Sequence, residues 1–439
     1  MNRRNFLRVS PIASAPSFAF GGGDATPVPQ STAFQGEKSS LKITGIKIVQ
    51  ARPRTPLPAS FRYTIVHEPW AENDAPKTTL MSPYRAEHQG SGTRHTEIFD
   101  PLTNNRHWPF GAGIGLQVTT DKGVTGLGHT LGGEAADRVA TSLAPLLIGE
   151  DPFNVEKLWD IMWRSTLYYG RKGIAIQAIS GIDLALWDLV GKAAGLPVYK
   201  LLGGETKPRI PGYATLNDVH HHAKFGFKKL KLALPYGPMD GREGLKKNVD
   251  VVRQTRELLG PDGEIMLDCI MALTERYTIE LAEAMEPYRI SWIEEPLIPE
   301  DYEGFGRLND QIRSTRIATG EHEYTRYGFR RLLEQHCAKV WQPDIHWCGG
   351  MTEIRRIAAL ASAYDIPVNA HIGGTTLPGM HFMMATVNAF LAEMVMPPPG
   401  GPPEVYRQYE EDLLITRGPG GIYNRPPDRP GFGYDVVVS

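Results

Sequence analysis

The sequence predicts an α/β protein whose larger part is a β/α barrel. Three observations predict it. Between Glu264 and His371 an apolar run of four to six residues ends in an acid or a histidine five times. The endings are EIMLDC (Asp268), SWIEEP (Glu294), IATGEH (Glu321 and His322), VWQPD (Asp344) and PVNAH (His371). Second, the charged ends are 26, 27, 23 and 27 residues apart, close to what a parallel strand, its crossover helix and two loops need. Third, strand and helix patterns alternate strictly from Arg209 onward, with strands at IPGYATL, KKLKLAL, EIMLD, SWIEE, RIATG, KVWQPD, PVNAH and AEMVM. Eight strands with seven helices between them, in about 190 residues, fit a barrel near the usual size.

The chain before and after the barrel reads differently. Residues 1–40 do not read as fold. Arg3 and Arg4, followed by Asn5, Phe6 and Leu7, resemble the core of a twin-arginine export signal, an address read by a receptor. Export to the periplasm or cell envelope is the expectation, and a disordered basic terminus on a cytoplasmic protein is the alternative. The Gly-, Pro- and Ser-rich stretch that follows serves as a linker. A capping domain of α+β type is expected over 41–170. It opens with the alternating strand LKITGIKIVQARP and continues with a strand pair turning at Asp121, Lys122 and Gly123. The irregular stretch 52–110, rich in Pro, His and Arg, is of the length and kind that form functional loops. In GEDPFNVEKLWDIMW, Asp151 is the expected N-cap and Pro152 the first helical residue. IAIQAISGIDLALWDLVGKAAG is apolar around most of its circumference, as a buried helix should be, and Gly195 and Pro197 stop it. The barrel is expected over 171–396. The proline-rich tail, 397–439, with a late strand-like YDVVV, packs back on the capping domain.

Composition narrows the partners. With 47 basic and 49 acidic residues the formal net charge is −2, so nothing points to nucleic acid. No uninterrupted apolar run approaches the ~18 residues of a membrane span. Three cysteines, Cys269, Cys337 and Cys348, are too few and too widely spaced for a disulfide framework or a thiolate zinc site. The run His220, His221 and His222 reads as a solvated loop or helix start.

Side chains at equivalent ends of consecutive parallel strands converge on one rim, where barrel chemistry sits. Strand alternation puts Trp292 and Glu294 on one face and Ile293 and Glu295 on the other. Glu294, 26 residues beyond Asp268, is the inward one. Asp268, Glu294 and Glu321 are then three oxygen donors without a nearby thiolate, a set suited to Mg²⁺ with open positions. Lys231 closes the second strand, where a cation could hold a substrate carboxylate or enediolate. Asp344 and His371 end adjacent strands, and a carboxylate against an imidazole makes a proton-abstracting base. His322 is either an acid toward a leaving hydroxyl or an orienting residue beside the metal. Glu393 is either a protonated donor to an oxyanion or a salt-bridge partner.

These residues resemble the enolase superfamily, mandelate racemase branch, and within it most closely the L-rhamnonate dehydratases. The resemblance runs from Leu41 to Val438 through STLYYG, ISGIDLALWDLVGKAAGLPVYKLLGG, LDC, WIEE, GEHE, QPDIHWCGGMTEI and PGFG. It implies a modified (β/α)₇β TIM-type barrel with an N-terminal α+β capping domain completed by the C-terminal tail. It implies a Mg²⁺ triad at Asp268, Glu294 and Glu321, an Asp344–His371 base, an acid at His322 and an oxyanion-stabilising Glu393. It also implies a sugar-acid substrate and a homo-oligomer.

Two departures bear on chemistry. Racemases of the superfamily carry a second lysine where this chain has Ala233, and one-sided base chemistry suits dehydration. After the base histidine the dehydratases read Gly-Ser-Ser; here Ile372, Gly373 and Gly374 follow. The capping loop matches at Met81, Ser82, Tyr84 and Arg85, with Arg94 and His67 as further candidates for substrate binding. The expectation is therefore an acid-sugar dehydratase yielding a 2-keto-3-deoxy acid. An epimerase or cycloisomerase, and a non-catalytic metal-containing sugar-acid binder, are the alternatives.

Overall fold

Strand alternation in ITGIKIV forms β1 (Ile43–Val49), with Ile43 and Val49 buried, followed by β2 (Ala51–Pro53). The computed structural model describes residues 41–49, 51–53, 114–130, 132–215, 217–397, 400, 402–434 and 436–438. The leader and the proposed substrate residues His67, Arg85 and Arg94 lie outside the described residues. β3 (Ile114–Thr120) and β4 (Thr125–Thr130) form a hairpin, and β1 pairs antiparallel with β3. The turn is the expected one, with Gly123 at φ 76°.

Three helices follow: α1 (Gly133–Leu143), α2 (Val155–Thr166) and α3 (Ile174–Ala194). Helix α2 starts later than the sequence suggested. Asp151 accepts the Phe153 amide through Oδ1 and so closes a short turn, and Asn154 occupies the cap position. Helix α3 is apolar all round and buried, and Gly195 ends it in the left-handed conformation at φ 68°. By length and composition alone α3 is long and apolar enough to cross a membrane. Yet 89% of its most apolar window is buried inside the protein, as in a core helix. β4 lies directly on α3. A Cβ at Gly128 would stand 2.0 Å from the Gly181 carbonyl oxygen, so only glycine permits this approach.

After the short α4 (Val198–Leu201) the barrel begins. It runs β5 (Ile210–Thr215), α5 (Val219–Phe225), β6 (Lys229–Ala233), α6 (Gly241–Leu259), β7 (Glu264–Asp268), α7 (Glu275–Met285), β8 (Trp292–Glu294) and α8 (Tyr302–Gln311). Then come β9 (Arg316–Thr319), α9 (Thr325–Glu334), β10 (Val340–Trp341), α10 (Gly350–Ser362), α11 (Leu377–Ala385) and β11 (Ala392–Met394). β5 through β10 pair in sequence order, all parallel, and β11 pairs parallel with β5. The fold is the expected TIM-type barrel with an N-terminal cap.

PVNAH is not a full strand. It makes one parallel bridge, Trp341 to Val368. Proline has no N–H for a ladder, and on the other side, beyond one backbone bond from the Val368 amide to the Asn388 carbonyl at 2.9 Å, a side chain takes the ladder's place. Asn369 Oδ1 accepts the amides of Phe390 and Leu391 at 3.4 and 3.2 Å.

The tail adds α12 (Pro403–Asp412), the hairpin β12 (Thr416–Gly418) and β13 (Gly421–Asn424), and β14 (Val436–Val438). β14 pairs antiparallel with β2, and Phe432 donates its amide to the buried Asp188 of α3 at 2.8 Å. One strand pleat below the rim, Tyr213, Met266, Trp292, Ala318, Val340 and Leu391 form their own buried apolar cluster. That layer closes the floor of the site.

Candidate active site

Register brings the strand ends together as the period predicted. Asp268 pairs with both Ala233 and Glu294 across β6, β7 and β8. The chain turns sharply just beyond these ends. Ile270, Met271, Glu295 and Ile372 take φ of 47°, 59°, 38° and 44°. A β-branched residue in that region is strained, and strain of this kind gathers at functional sites.

The charged side chains form two linked groups. In the first, Lys231 is buried and bonded to Asp268 Oδ2 (3.1 Å), Glu393 Oε1 (2.9 Å) and Glu294 Oε1. It is no surface lysine, being 1% exposed. Burial alone would lower its pKa, but Asp268, Glu294 and Glu393 hold it well above the ordinary lysine value. The other Glu294 oxygen accepts from Trp292 Nε1 at 3.0 Å and Gln342 Nε2 at 2.5 Å. Burial, partly countered by Lys231, pushes the Glu294 carboxyl up to about 8.

In the second group, Asp344 Oδ2 lies 2.7 Å from His371 Nδ1, and Oδ1 accepts the His346 amide at 2.6 Å. Burial would raise Asp344, yet the bonds from His346 and His371 hold it well below the usual carboxylate range. The charge of Glu321, with the hydrogen bond to Asp344 and the charge of Glu393, keeps the His371 imidazole well above its ordinary value despite burial. His371 Nε2 stands 3.6 Å from Glu321. Burial pushes Glu321 up to about 7 against the opposing charge of His371.

His322 Nδ1 lies 2.7 Å from Glu295 and 3.5 Å from Glu321. Against burial, Glu295 raises His322 to about 9, so it carries a proton at neutral pH. Of the two settings open to Glu295, the helix layer or a salt bridge, the structure shows the salt bridge, made to His322 at the rim. The Glu295 φ of 38° breaks the alternation one residue early. Pro296, which cannot donate to a ladder, was the signal that the strand ends at Glu294.

Glu393 accepts the Ile372 amide at 3.0 Å besides Lys231. Burial would raise its carboxyl, but Lys231 and His371 lower it to about 2. Of its two expected roles the salt bridge is the one seen. At the end of β6 the Ala233 backbone is pinned by Asn217, which donates Nδ2 to its carbonyl and accepts its amide.

The three expected metal ligands do not form one tight cluster. Asp268 and Glu294 close on Lys231, and Glu321 closes on the two histidines. The tightest donor group among the described residues is Glu295, Glu321 and His322, one ligand atom each within 4.8 Å. Six carboxylates, Asp268, Glu294, Glu295, Glu321, Asp344 and Glu393, face three cationic side chains, Lys231, His322 and His371. That excess of hard oxygen donors and negative charge fits a divalent cation such as Mg²⁺. Cys269 and Cys348 are buried with thiols pushed well above their usual range by burial, so neither is a nucleophile. His222 is buried in α5, not solvated, and burial lowers it to about 3.

Fold and rim together define a capped barrel enzyme of the enolase type. The chain belongs to the mandelate racemase / muconate lactonizing enzyme family. Residues 112–203 match that family's N-terminal domain, and 216–437 match the family described as Enolase C-terminal domain-like. It is 43% identical to an L-rhamnonate dehydratase of Saccharopolyspora erythraea over 320 residues, 72% of this chain and 81% of that protein. A rhamnonate dehydratase from Gibberella zeae complexed with Mg superposes with a TM-score of 0.73 at 33% identity, covering 91% of this chain and 94% of that one. A 3,6-anhydro-D-galactonate cycloisomerase from Zobellia galactanivorans gives 0.65 at 32% identity, covering 74% and 92%.

Proposed function

We propose that this chain is a Mg²⁺-dependent acid-sugar dehydratase of the L-rhamnonate dehydratase kind. The observation that carries the reading is the asymmetry of the rim. A carboxylate-held imidazole, His371, stands on one side, and Ala233 stands where a second base would be needed for racemisation. Asp268, Glu294 and Glu321 would hold the metal. Bound there, Mg²⁺ would supply positive charge to the substrate carboxylate and enediolate, and would offset the Glu321 charge that keeps His371 protonated. His371 takes the C2 proton through Nε2, with Asp344 fixing its tautomer. Lys231 stabilises the enediolate, and Glu393 holds Lys231 and the turn after His371 in place. His322, kept protonated by Glu295, gives its proton to the departing C3 hydroxyl. The product is a 2-keto-3-deoxy acid.

Arg85, Arg94 and His67 are our proposed contacts to the substrate. Export through the Arg3–Arg4 leader and a homo-oligomeric state extend the same reading. The test is a dehydration screen over an acid-sugar library with Mg²⁺, before and after chelation. Turnover that is lost with chelator and restored by Mg²⁺ is expected. Deuterium exchange at C2 without net dehydration would overturn the reading in favour of an epimerase.

A further inference from the structure

The turn after Asp344 is tightly wound. The amides of Trp347 and Cys348 both donate to the Asp344 carbonyl, at 3.1 and 2.8 Å. This places the Trp347 indole against both imidazoles of the site. Its ring centre lies 5.2 Å from that of His322 and 5.6 Å from that of His371, tilted by 46° and 42°. The ring is only part-covered, yet its Nε1 is fully covered and has no acceptor among the described residues.

Three other buried indoles among the described residues are satisfied. Trp159 donates to the Gly349 carbonyl at 2.7 Å, Trp187 to Thr352 Oγ1 at 2.9 Å, and Trp292 to Glu294. Trp341 Nε1 also lacks an acceptor, but that ring packs on Phe329 in the core, away from the two histidines. A covered donor left unpaired costs free energy unless a ligand supplies the acceptor. At Trp347 the unpaired donor belongs to a ring that touches the proton acceptor and the proton donor of the reaction.

We propose that Trp347 is a substrate-contacting residue that sets specificity, its indole lying along the C2–C3 segment of a polyhydroxylated carboxylate and its N–H donating to a substrate oxygen. This rests on the dehydratase reading. A base acting at C2 and an acid acting on the C3 oxygen must face adjacent carbons. A ring in contact with both imidazoles therefore borders those carbons. The flat C–H faces of a sugar acid suit an aromatic wall, and the N–H selects for an oxygen at one position.

The experiment compares Trp347→Phe with the parent, each carrying His371→Asn so that ligand is bound and not consumed, loaded with Mg²⁺. Phenylalanine keeps an aromatic wall and removes the N–H. The dissociation constant for L-rhamnonate, read by calorimetry, should rise about tenfold, the loss expected for one hydrogen bond. The Mg²⁺ dissociation constant should stay within twofold. The melting temperature without sugar acid should not fall, because no bond is lost in the free protein. An L-rhamnonate dissociation constant within twofold of the parent would overturn the proposal. So would a melting temperature that falls in step with the lost affinity, which is the mark of a purely structural tryptophan. If the His371→Asn parent binds neither L-rhamnonate nor any other aldonate, the dehydratase reading itself falls and takes the proposal with it.

Discussion

Asp344 Oδ2 stands 2.7 Å from His371 Nδ1, and its other oxygen is taken by the His346 amide. A carboxylate so held, far below its usual pKa, stays ionised and orients the imidazole with Nε2 toward the rim. Replacing His371 by Asn removes the imidazole proposed as the base. Because Asp268, Glu294 and Glu321 are untouched, metal binding should survive. We expect kcat to fall by roughly 10³-fold or more, within the range a general base contributes, while Mg²⁺ affinity by calorimetry changes little. Dehydration within about tenfold of the parent would sink the assignment of His371 as the base.

Lys231 answers three buried carboxylates at once. Lys231→Met keeps the stem and removes the charge. Asp268, Glu294 and Glu393 then face one another with no cation, and breaking a buried pair in this way costs about 3–5 kcal/mol. Urea unfolding in chelator should show a loss of that order. Adding Mg²⁺ should recover part of it, because a metal bound to Asp268 and Glu294 replaces some of the missing charge. A variant as stable as the parent in chelator would show that Lys231 is not the hub of this group.

Most of the rim was legible in the sequence because one physical rule repeats. Parallel strands and their crossover helices recur at a near-constant length, so Asp268, Glu294, Glu321, Asp344 and His371 could be placed from their spacing alone. What escaped was set by backbone conformation or by tertiary partners. Alternation leaves Glu295 either in the helix layer or in a salt bridge, and only the left-handed turn before Pro296 decides for the salt bridge to His322. PVNAH read as a strand, but Asn369 replaces its ladder on one side with a side-chain carbonyl. Asp151 has the composition of a helix cap, and only the fold shows that it closes the preceding turn. Trp347 follows the dyad acid by three residues, and nothing in spacing reveals that its ring reaches both histidines.

The approach of β4 to α3 makes a separate prediction about stability. A Cβ at Gly128 would meet the Gly181 carbonyl oxygen at 2.0 Å and the Ala185 amide at 2.5 Å, both backbone atoms that cannot swing aside. Gly128→Ala should therefore push the strand off the helix and cost at least the ~1–3 kcal/mol typical of overpacking. Thermal unfolding should show a clear fall in melting temperature. Gly128→Ala melting with the parent would mean that β4 and α3 are further apart than described.

His381 gives a pH dependence whose sign follows from its bonds. Its Nδ1 accepts the Tyr199 amide at 3.0 Å, and its Nε2 lies 3.3 Å from the Phe432 carbonyl, joining α4, α11 and the tail. It is fully buried, and burial lowers it from 6.5 to about 3, so the folded protein holds it neutral. In the unfolded chain it takes up a proton near pH 6.5. Above that pH its stabilising bonds count in full. As the pH falls toward 3, the unfolded state binds a proton that the folded state refuses, and stability is lost at about 1.4 kcal/mol per unit. His381→Gln keeps an acceptor and a donor but does not titrate. The variant should be the less stable of the two at pH 7.5, and the gap should narrow by about 2 kcal/mol by pH 5. Urea midpoints at the two pH values measure this directly, with the carboxylates of the rim common to both proteins and so cancelling in the comparison. A gap that stays constant, or widens in acid, would show that His381 is charged in the folded protein.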